Sequence, residues 1–144
     1  QSASAGANTL DDYEEGTWTP VIGGATSESG QTYDIQDAVY VKIGQLVCAS
    51  FDVRLTAAGT ITGSPVTLKG LPFTTGGVRS GAPITFWSTL NTAYVFIGGI
   101  VNLSSTTADL YGATAAATGL SAVAPGDISN TTRFVGTFMY RAAA

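Results

Sequence analysis

Histidine is missing from this sequence, and cysteine occurs once, at position 48. Without histidine the chain lacks the commonest general base, the imidazole of the usual catalytic triads and the commonest metal ligand. A single cysteine excludes an intramolecular disulfide and a zinc cluster built from cysteines. We expect Cys48 to be a small packed residue within an apolar strand. The catalytic groups that remain are carboxylates.

Charge is also scarce, because only 11% of the residues are charged, against roughly 25% in typical soluble domains. The net charge is -4. The six basic residues are scattered and form no stripe that would neutralise phosphates, so we expect no nucleic-acid binding. No apolar run approaches the roughly 18 residues of a membrane span, so we expect no membrane insertion. Low net repulsion is a mild indication of self-association.

Paired carboxylates alone can hydrolyse glycosidic bonds, so the acidic residues have to be weighed as catalysts. The acidic cluster near the start of the chain consists of Asp11, Asp12, Glu14 and Glu15. We expect no enzyme, because this cluster lies next to an N-terminal arm and catalysis requires rigid positioning. Three interpretations remain open: a solvated entry segment, a contact with other subunits or an upstream shaft, and a calcium site. We expect no cofactor and no metal.

Two aromatic residues accompany the acidic cluster. Tyr13 and Trp18 either attach this segment to the β-domain or join the cluster in an oligomer or shaft contact. The sequence has no initiator Met and no signal-peptide pattern. We therefore expect a fragment of a longer chain or a processed product.

Alternating apolar and polar residues dominate the rest of the chain. The clearest alternation runs from Val47 to Leu55, where every second residue is apolar, as in a half-buried strand. A second alternating run, residues 39–43, precedes it across a turn at Gly44-Gln45. The two runs predict a β-hairpin. Further alternation at residues 84–90 places Ile84 and Phe86 on the core side, and the run at 134–141 places Phe134 and Phe138 there.

These strand-like runs are short and are separated by turn signals every 8 to 15 residues or so, which predicts an antiparallel all-β sandwich or barrel. We expect residues 1–16 to form an N-terminal arm or linker and residues 17–144 to form the β-sandwich domain. Residues 113–127 are rich in Ala, Gly and Ser, with room for one or two helical turns at most.

Exposed aromatic rings offer flat apolar faces to the C–H groups of sugars. The candidate glycan contacts, on the polar phase of strands or in loops, are Tyr33, Trp87, Tyr94 and Tyr111. For Trp87 two other interpretations remain open, since large aromatics also concentrate at subunit interfaces and in the core of an opposite sheet.

Four segments carry a resemblance. They are LDDYEEGTWTP at residues 10–20, YVKIGQLV at 40–47, GLPF at 70–73 and RFVGTFMY at 133–140. In this order they resemble segments of the C-terminal β-domain of bacteriophage tail fibre and tailspike proteins. The resemblance implies a jelly-roll-like β-sandwich that assembles as a homotrimer. It implies no catalytic residues here, because the glycan-cleaving activity of tailspikes usually belongs to a separate upstream β-helix.

The same resemblance implies a place in the virion, with the phage tail preferred over the capsid surface. The expected partners are other copies of the chain, other virion proteins and a bacterial surface polysaccharide. Two alternative functions remain. A capsid decoration or head-fibre protein would dock on the shell through residues 1–16, whereas a carbohydrate-binding module would be a monomer with affinity for sugar.

Overall fold

The computed structural model describes residues 12–144, and all strand pairings among them are antiparallel. The predicted antiparallel all-β class is confirmed. The strands are β1 (Tyr13–Thr17), β2 (Val21–Gly24), β3 (Ser27–Ser29), β4 (Thr32–Ile43), β5 (Leu46–Ala57), β6 (Thr60–Thr62), β7 (Val66–Lys69), β8 (Ser80–Leu90), β9 (Phe96–Val101), β10 (Thr107–Ala113), β11 (Ser121–Ala122) and β12 (Ile128–Arg141). A three-residue 3-10 helix, Pro125–Asp127, precedes β12. Within residues 12–144, no helix has the length and apolar character needed to cross a membrane.

One large sheet contains most of these strands, in the order β1-β4-β5-β12-β8-β9-β10-β7-β2, with β11 paired to β10. β1 and β2 lie at opposite ends of this order, yet only residues 18–20 connect them. Such a connection spans at most about 14 Å, whereas nine strands side by side in a flat sheet would spread over about 38 Å. The sheet is therefore curled into a half-barrel.

β8 passes from one half of the curled sheet to the other. Its first residues, 80–83, pair with β9, and the residues from Ile84 onward pair with β12. We call β1, β4, β5, β12 and the second part of β8 the front half. The back half comprises the first part of β8 with β9, β10, β7 and β2. The core lies between the inner surfaces of the two halves.

The predicted hairpin is β4–β5, with Ile43 paired to Leu46 across the turn. Gly44 in this turn has a φ of 58°, in the left-handed region that glycine adopts without steric cost. The predicted core face of β5 is also confirmed, since all five of its members are buried: Val47, Ala49, Phe51, Val53 and Leu55. The Phe51 ring stacks on Phe138 of β12, with 5.5 Å between centroids.

Contacts with β4 connect β1 and β2, the two edge strands of the curled sheet. Just after the end of β1, the backbone N–H of Trp18 donates to the carbonyl of Ala38 over 3.2 Å. Further along, the Gln36 side-chain amide donates to the Pro20 carbonyl over 2.9 Å. The Ile22 N–H then donates to the Tyr33 hydroxyl over 3.0 Å. Side chains of β4 thus satisfy one backbone group of β2 and one of the connection that precedes it.

The predicted boundary between arm and domain differs from the structure. Residues 1–11 lie outside the described part of the chain, but β1 pairs residue by residue with β4 from Tyr13 onward. The strand therefore begins inside the segment predicted to be an arm. Residues 18–20 after β1 are where the chain crosses from the front half to the back half.

The predicted phase of β8 is wrong at Phe86 and Trp87. Ile84 pairs with Gly136 but Phe86 pairs with Val135, so β8 carries one extra residue at a β-bulge. An extra residue exchanges the two faces of the residues that follow it, here up to the second register shift between Ser88 and Leu90. As a result, Phe86 points outward and is 48% exposed. Trp87 lies opposite the buried Phe134 and packs against the core.

Candidate interaction surfaces

The outer surface of the front half carries a continuous apolar patch. We call it the apolar face and define it by Val39, Val41, Ile43, Leu46, Cys48 and Met139. Cross-strand pairing brings these residues together, because paired residues in a sheet point to the same side. Val41 pairs with Cys48, and Cys48 pairs with Met139.

The apolar face is largely open to solvent in the single chain. Val39 is 56% exposed and Met139 is 55% exposed, with Ile43 and Leu46 only slightly less so. Together the six side chains expose on the order of 400 Å² of apolar surface, comparable to the largest patch on a typical monomer, which is often functional. The patch is therefore a candidate interaction surface.

The two sides of the apolar face carry opposite charges. Glu15 of β1 pairs with Val41 and so lies on the outer surface at one side. Arg141 of β12 pairs with Leu46 and lies at the other side. Both charges contact neutral partners: the Tyr13 hydroxyl donates to Glu15 Oε2 over 2.6 Å, and Arg141 Nε donates to the Gln45 side-chain oxygen over 2.6 Å.

Two arginine–carboxylate pairs cover the far end of the same outer surface. Arg133 Nε and Nη2 donate to the two carboxylate oxygens of Asp52 over 2.8 and 2.6 Å. These bonds hold the pKa of Asp52 below its ordinary value. Arg54 binds Asp34 in the same two-pronged way, with Nε 2.8 Å from Asp34 Oδ1. These four charges are compensated within the chain.

The predicted acidic cluster is spread along β1. Asp11 lies outside the described residues. Asp12 forms a salt bridge of 2.9 Å with Lys42, and Glu14 accepts a hydrogen bond of 2.6 Å from the Tyr40 hydroxyl. These contacts attach β1 to β4. In residues 12–144 no three acidic or cysteine side chains converge on a position that could hold a metal ion.

Trp18 has to be removed from the predicted set of partner contacts. It is only 7% exposed, and its ring packs edge-on against Phe51 with 5.9 Å between centroids. Its indole N–H donates to the Val39 carbonyl over 3.2 Å. Trp18 therefore attaches the segment after β1 to the core and presents no open surface to another molecule.

The four aromatic residues predicted to contact glycans do not converge on one site. Tyr33 lies at the junction of β4 and β2, where burial raises its pKa. Trp87 lies on the core side of β8. The hydrogen bond at the edge of β2 directs Tyr33 inward, and the bulge in β8 directs Trp87 inward. Both rings therefore stabilise the fold.

Tyr94 is engaged at the entry to β9. Its hydroxyl donates to Asp127 over 2.7 Å, and burial together with this carboxylate raises the pKa of Tyr94 to about 12. Burial by itself would raise the pKa of Asp127, but hydrogen bonds from Thr92, Tyr94 and the Ala124 N–H lower it. The pair thereby fastens the loop before β9 to the 3-10 helix.

Tyr111 borders an open depression. This depression, which we call the aromatic cleft, lies on the outer surface of the back half and has a volume of about 270 Å³. Phe96 and Tyr111 are among its walls, and Gly81 and Gly98 are in its floor. A Cβ at Gly98 would lie 3.1 Å from the Phe96 ring, so the ring covers the glycine.

Sequence reasoning did not identify the apolar face. The alternation in β4 was recognised, but it does not show which side of the strand is buried. One signal was present. Cys48 and Met139 are the sequence neighbours of the core residues Ala49 and Phe138, so they lie on the outer face of their strands. The sequence thus had apolar side chains on a face that was expected to be polar.

The chain matches no model of a known protein family, no curated protein and no solved structure. Its function has to follow from its own residues and surfaces.

Proposed function

We propose that this chain is a non-enzymatic module of a bacteriophage virion, the C-terminal domain of a tail fibre or tailspike, which assembles as a homotrimer and serves host attachment. The apolar face carries this proposal, because it is a patch that a solitary domain would leave in water. The resemblance of residues 10–20, 40–47, 70–73 and 133–140 to tail fibre and tailspike segments supports it.

Burial of the apolar face drives the proposed assembly. Apolar surface removed from water contributes roughly 25 cal/mol per Å². Val39 and Met139 are each more than half exposed in the single chain, so most of their area is available for burial. A trimer with closed symmetry covers the same patch on each copy.

The jelly-roll-like sandwich belongs to the same proposal. β8 turns the corner between the two halves, and Phe138 of the front half packs against Gly99 of the back half. Two facing layers joined by a corner strand are typical of sandwiches whose strands change sheets at a bulge. Such a domain is rigid enough to present surfaces in a fixed arrangement.

Threefold symmetry suits attachment to a polysaccharide. A homotrimer presents three copies of every outward surface, so weak contacts with a repetitive bacterial glycan gain avidity. Host attachment needs this gain, because single sugar contacts on an open surface are weak.

The test is the solution mass of the chain measured by light scattering over a range of concentrations. We expect a mass near three times 14.6 kDa. Met139→Glu places a charge in the apolar face and should reduce the mass to that of a single chain. Val95→Glu is the matched control, because Val95 is at least as exposed as Met139 but lies in the loop before β9. A wild-type chain that stays monomeric at all concentrations contradicts the proposal.

A carbohydrate-binding module is a second candidate, and the aromatic cleft favours it. Phe96 and Tyr111 offer ring surfaces in the lining of this cleft, the kind of surface on which sugar C–H groups pack. This function predicts a monomer that binds glycans. Tyr111→Ala should abolish that binding. Tyr94→Phe should leave it unchanged, because the hydroxyl that this variant loses bonds to Asp127 and is not available to a sugar.

A further inference from the structure

Glu15 and Arg141 remain uncompensated within residues 12–144. β1 and β12 are separated by β4 and β5, which places the two residues about 14 Å apart across the sheet. They cannot pair with each other at this distance. In the described residues neither forms a salt bridge, and their hydrogen-bond partners, Tyr13 and Gln45, are neutral.

We infer that a second copy of this chain covers the apolar face, oriented so that Glu15 of one copy lies opposite Arg141 of the next. The inference rests on the proposed self-assembly and specifies its geometry.

The strand order gives the face two complementary sides. One side is acidic, the middle is apolar and the other side is basic. Two copies brought together with acidic side on acidic side would juxtapose like charges, which costs free energy and disfavours that arrangement. In a closed ring of three copies the acidic side of each copy meets the basic side of the next, so each copy supplies the charge that its neighbour lacks. No other partner is needed to explain both charges.

The size of the surface also fits a second copy. A stable interface takes about 800 Å² from each partner. The apolar face supplies on the order of half of this area as an apolar centre. The polar residues around it, including Glu15, Tyr13, Gln45 and Arg141, supply the rim. An apolar centre with a charged rim is the usual anatomy of an interface between proteins.

A charge swap tests the orientation. Glu15→Arg and Arg141→Glu, each alone, create a like-charge contact and should raise the dissociation constant of the assembly by about tenfold. The double variant restores an opposite-charge pair with its signs exchanged. Its dissociation constant should return to within about threefold of the wild-type value, because the free-energy effects of two substitutions in contact are not additive. Sedimentation over a dilution series measures all four proteins.

Asp109→Arg is the control variant. It changes the net charge by the same amount as Glu15→Arg, but Asp109 lies on the outer surface of the back half. We expect wild-type assembly from it. A thermal melt of each variant verifies that the domain is folded.

Three outcomes count against the inference. If the double variant assembles as weakly as the two single effects combined, the orientation is wrong, while a wild-type trimer still supports the proposed function. If Asp109→Arg weakens assembly as much as Glu15→Arg, net charge and not the pairing is responsible. A wild-type monomer overturns both the inference and the proposed function.

Discussion

The Phe138 ring lies against the backbone of Gly99, so close that a Cβ at Gly99 would come within 2.5 Å of Phe138 Cε1. Phe138 belongs to β12 and Gly99 to β9, so this contact joins the inner surfaces of the front and back halves. A glycine is required because any side chain would separate the halves at their centre.

Gly99→Ala should therefore destabilise the domain. The added methyl group overpacks the core, which costs about 1–3 kcal/mol of unfolding free energy. Chemical denaturation measures the change. Gly119→Ala is the control, since a Cβ at Gly119 meets nothing within 4 Å. Equal stability of the two variants would show that the halves do not meet as described.

Removing the Tyr33 hydroxyl should weaken the connection between β4 and β2. Tyr33→Phe leaves the Ile22 N–H without its partner, and an unsatisfied backbone donor costs about 1–3 kcal/mol. Amide exchange at Ile22 should accelerate in the variant. Tyr111→Phe is the matched substitution, because the Tyr111 hydroxyl makes no hydrogen bond within the described residues, and it should leave stability unchanged.

The pair of Asp52 and Arg133 should make stability depend on acidic pH. Arg133 holds the pKa of Asp52 below its ordinary value in the folded state, so the folded protein retains the charged carboxylate more firmly than the unfolded chain. The stabilisation is fully present above the unfolded pKa of about 4. It is lost as the pH falls below 4 through the folded pKa.

Asp52→Asn should remove this contribution. Both side chains of the pair are about 30% exposed, so solvent screening limits the effect to about 1 kcal/mol near neutral pH. Below pH 4 the difference between wild type and variant should vanish. Denaturation curves between pH 2 and 7 measure it, and Asp37→Asn is the neighbouring control. A constant difference at every pH would contradict the assignment.

Strands with a strict alternation were predictable from the sequence. In β5 every second residue is apolar, and in β12 Phe134, Phe138 and Tyr140 recur on one side; those side chains form the core. Alternation failed to predict the buried side of β8, where one extra residue is inserted. The bulge after Ile84 in β8 exchanges the two faces, and nothing in the residues 84–90 indicates where the extra residue lies.

The short ribbon of β3 and β6 was not predicted from the sequence. Its strands consist mainly of Ser, Thr and Glu, so they lack the apolar alternation that marks a strand. Their pairing depends on partners far apart in the sequence, as Glu28 with Ile61 shows. Lys69 also binds Glu28 over 2.6 Å and fixes the ribbon to β7.

Interaction surfaces were less predictable than strands. The sequence placed Tyr33 and Trp87 among exposed aromatics, but a long-range backbone contact and a bulge direct them inward. The apolar face arises from residues on three strands, 39–43, 46–48 and 139, that only the register brings together. Composition within any one strand does not reveal such a patch.

The central claim, that another copy covers the apolar face, is tested most directly at Cys48. This single cysteine lies in the middle of the face, between Val41 and Met139, and is partly exposed in the isolated chain. The rate at which a thiol reagent modifies Cys48 should be low at concentrations where the chain assembles. It should rise on dilution and in Met139→Glu. Equal, rapid modification in the concentrated wild type and in Met139→Glu would show that nothing covers the face, and would contradict the account.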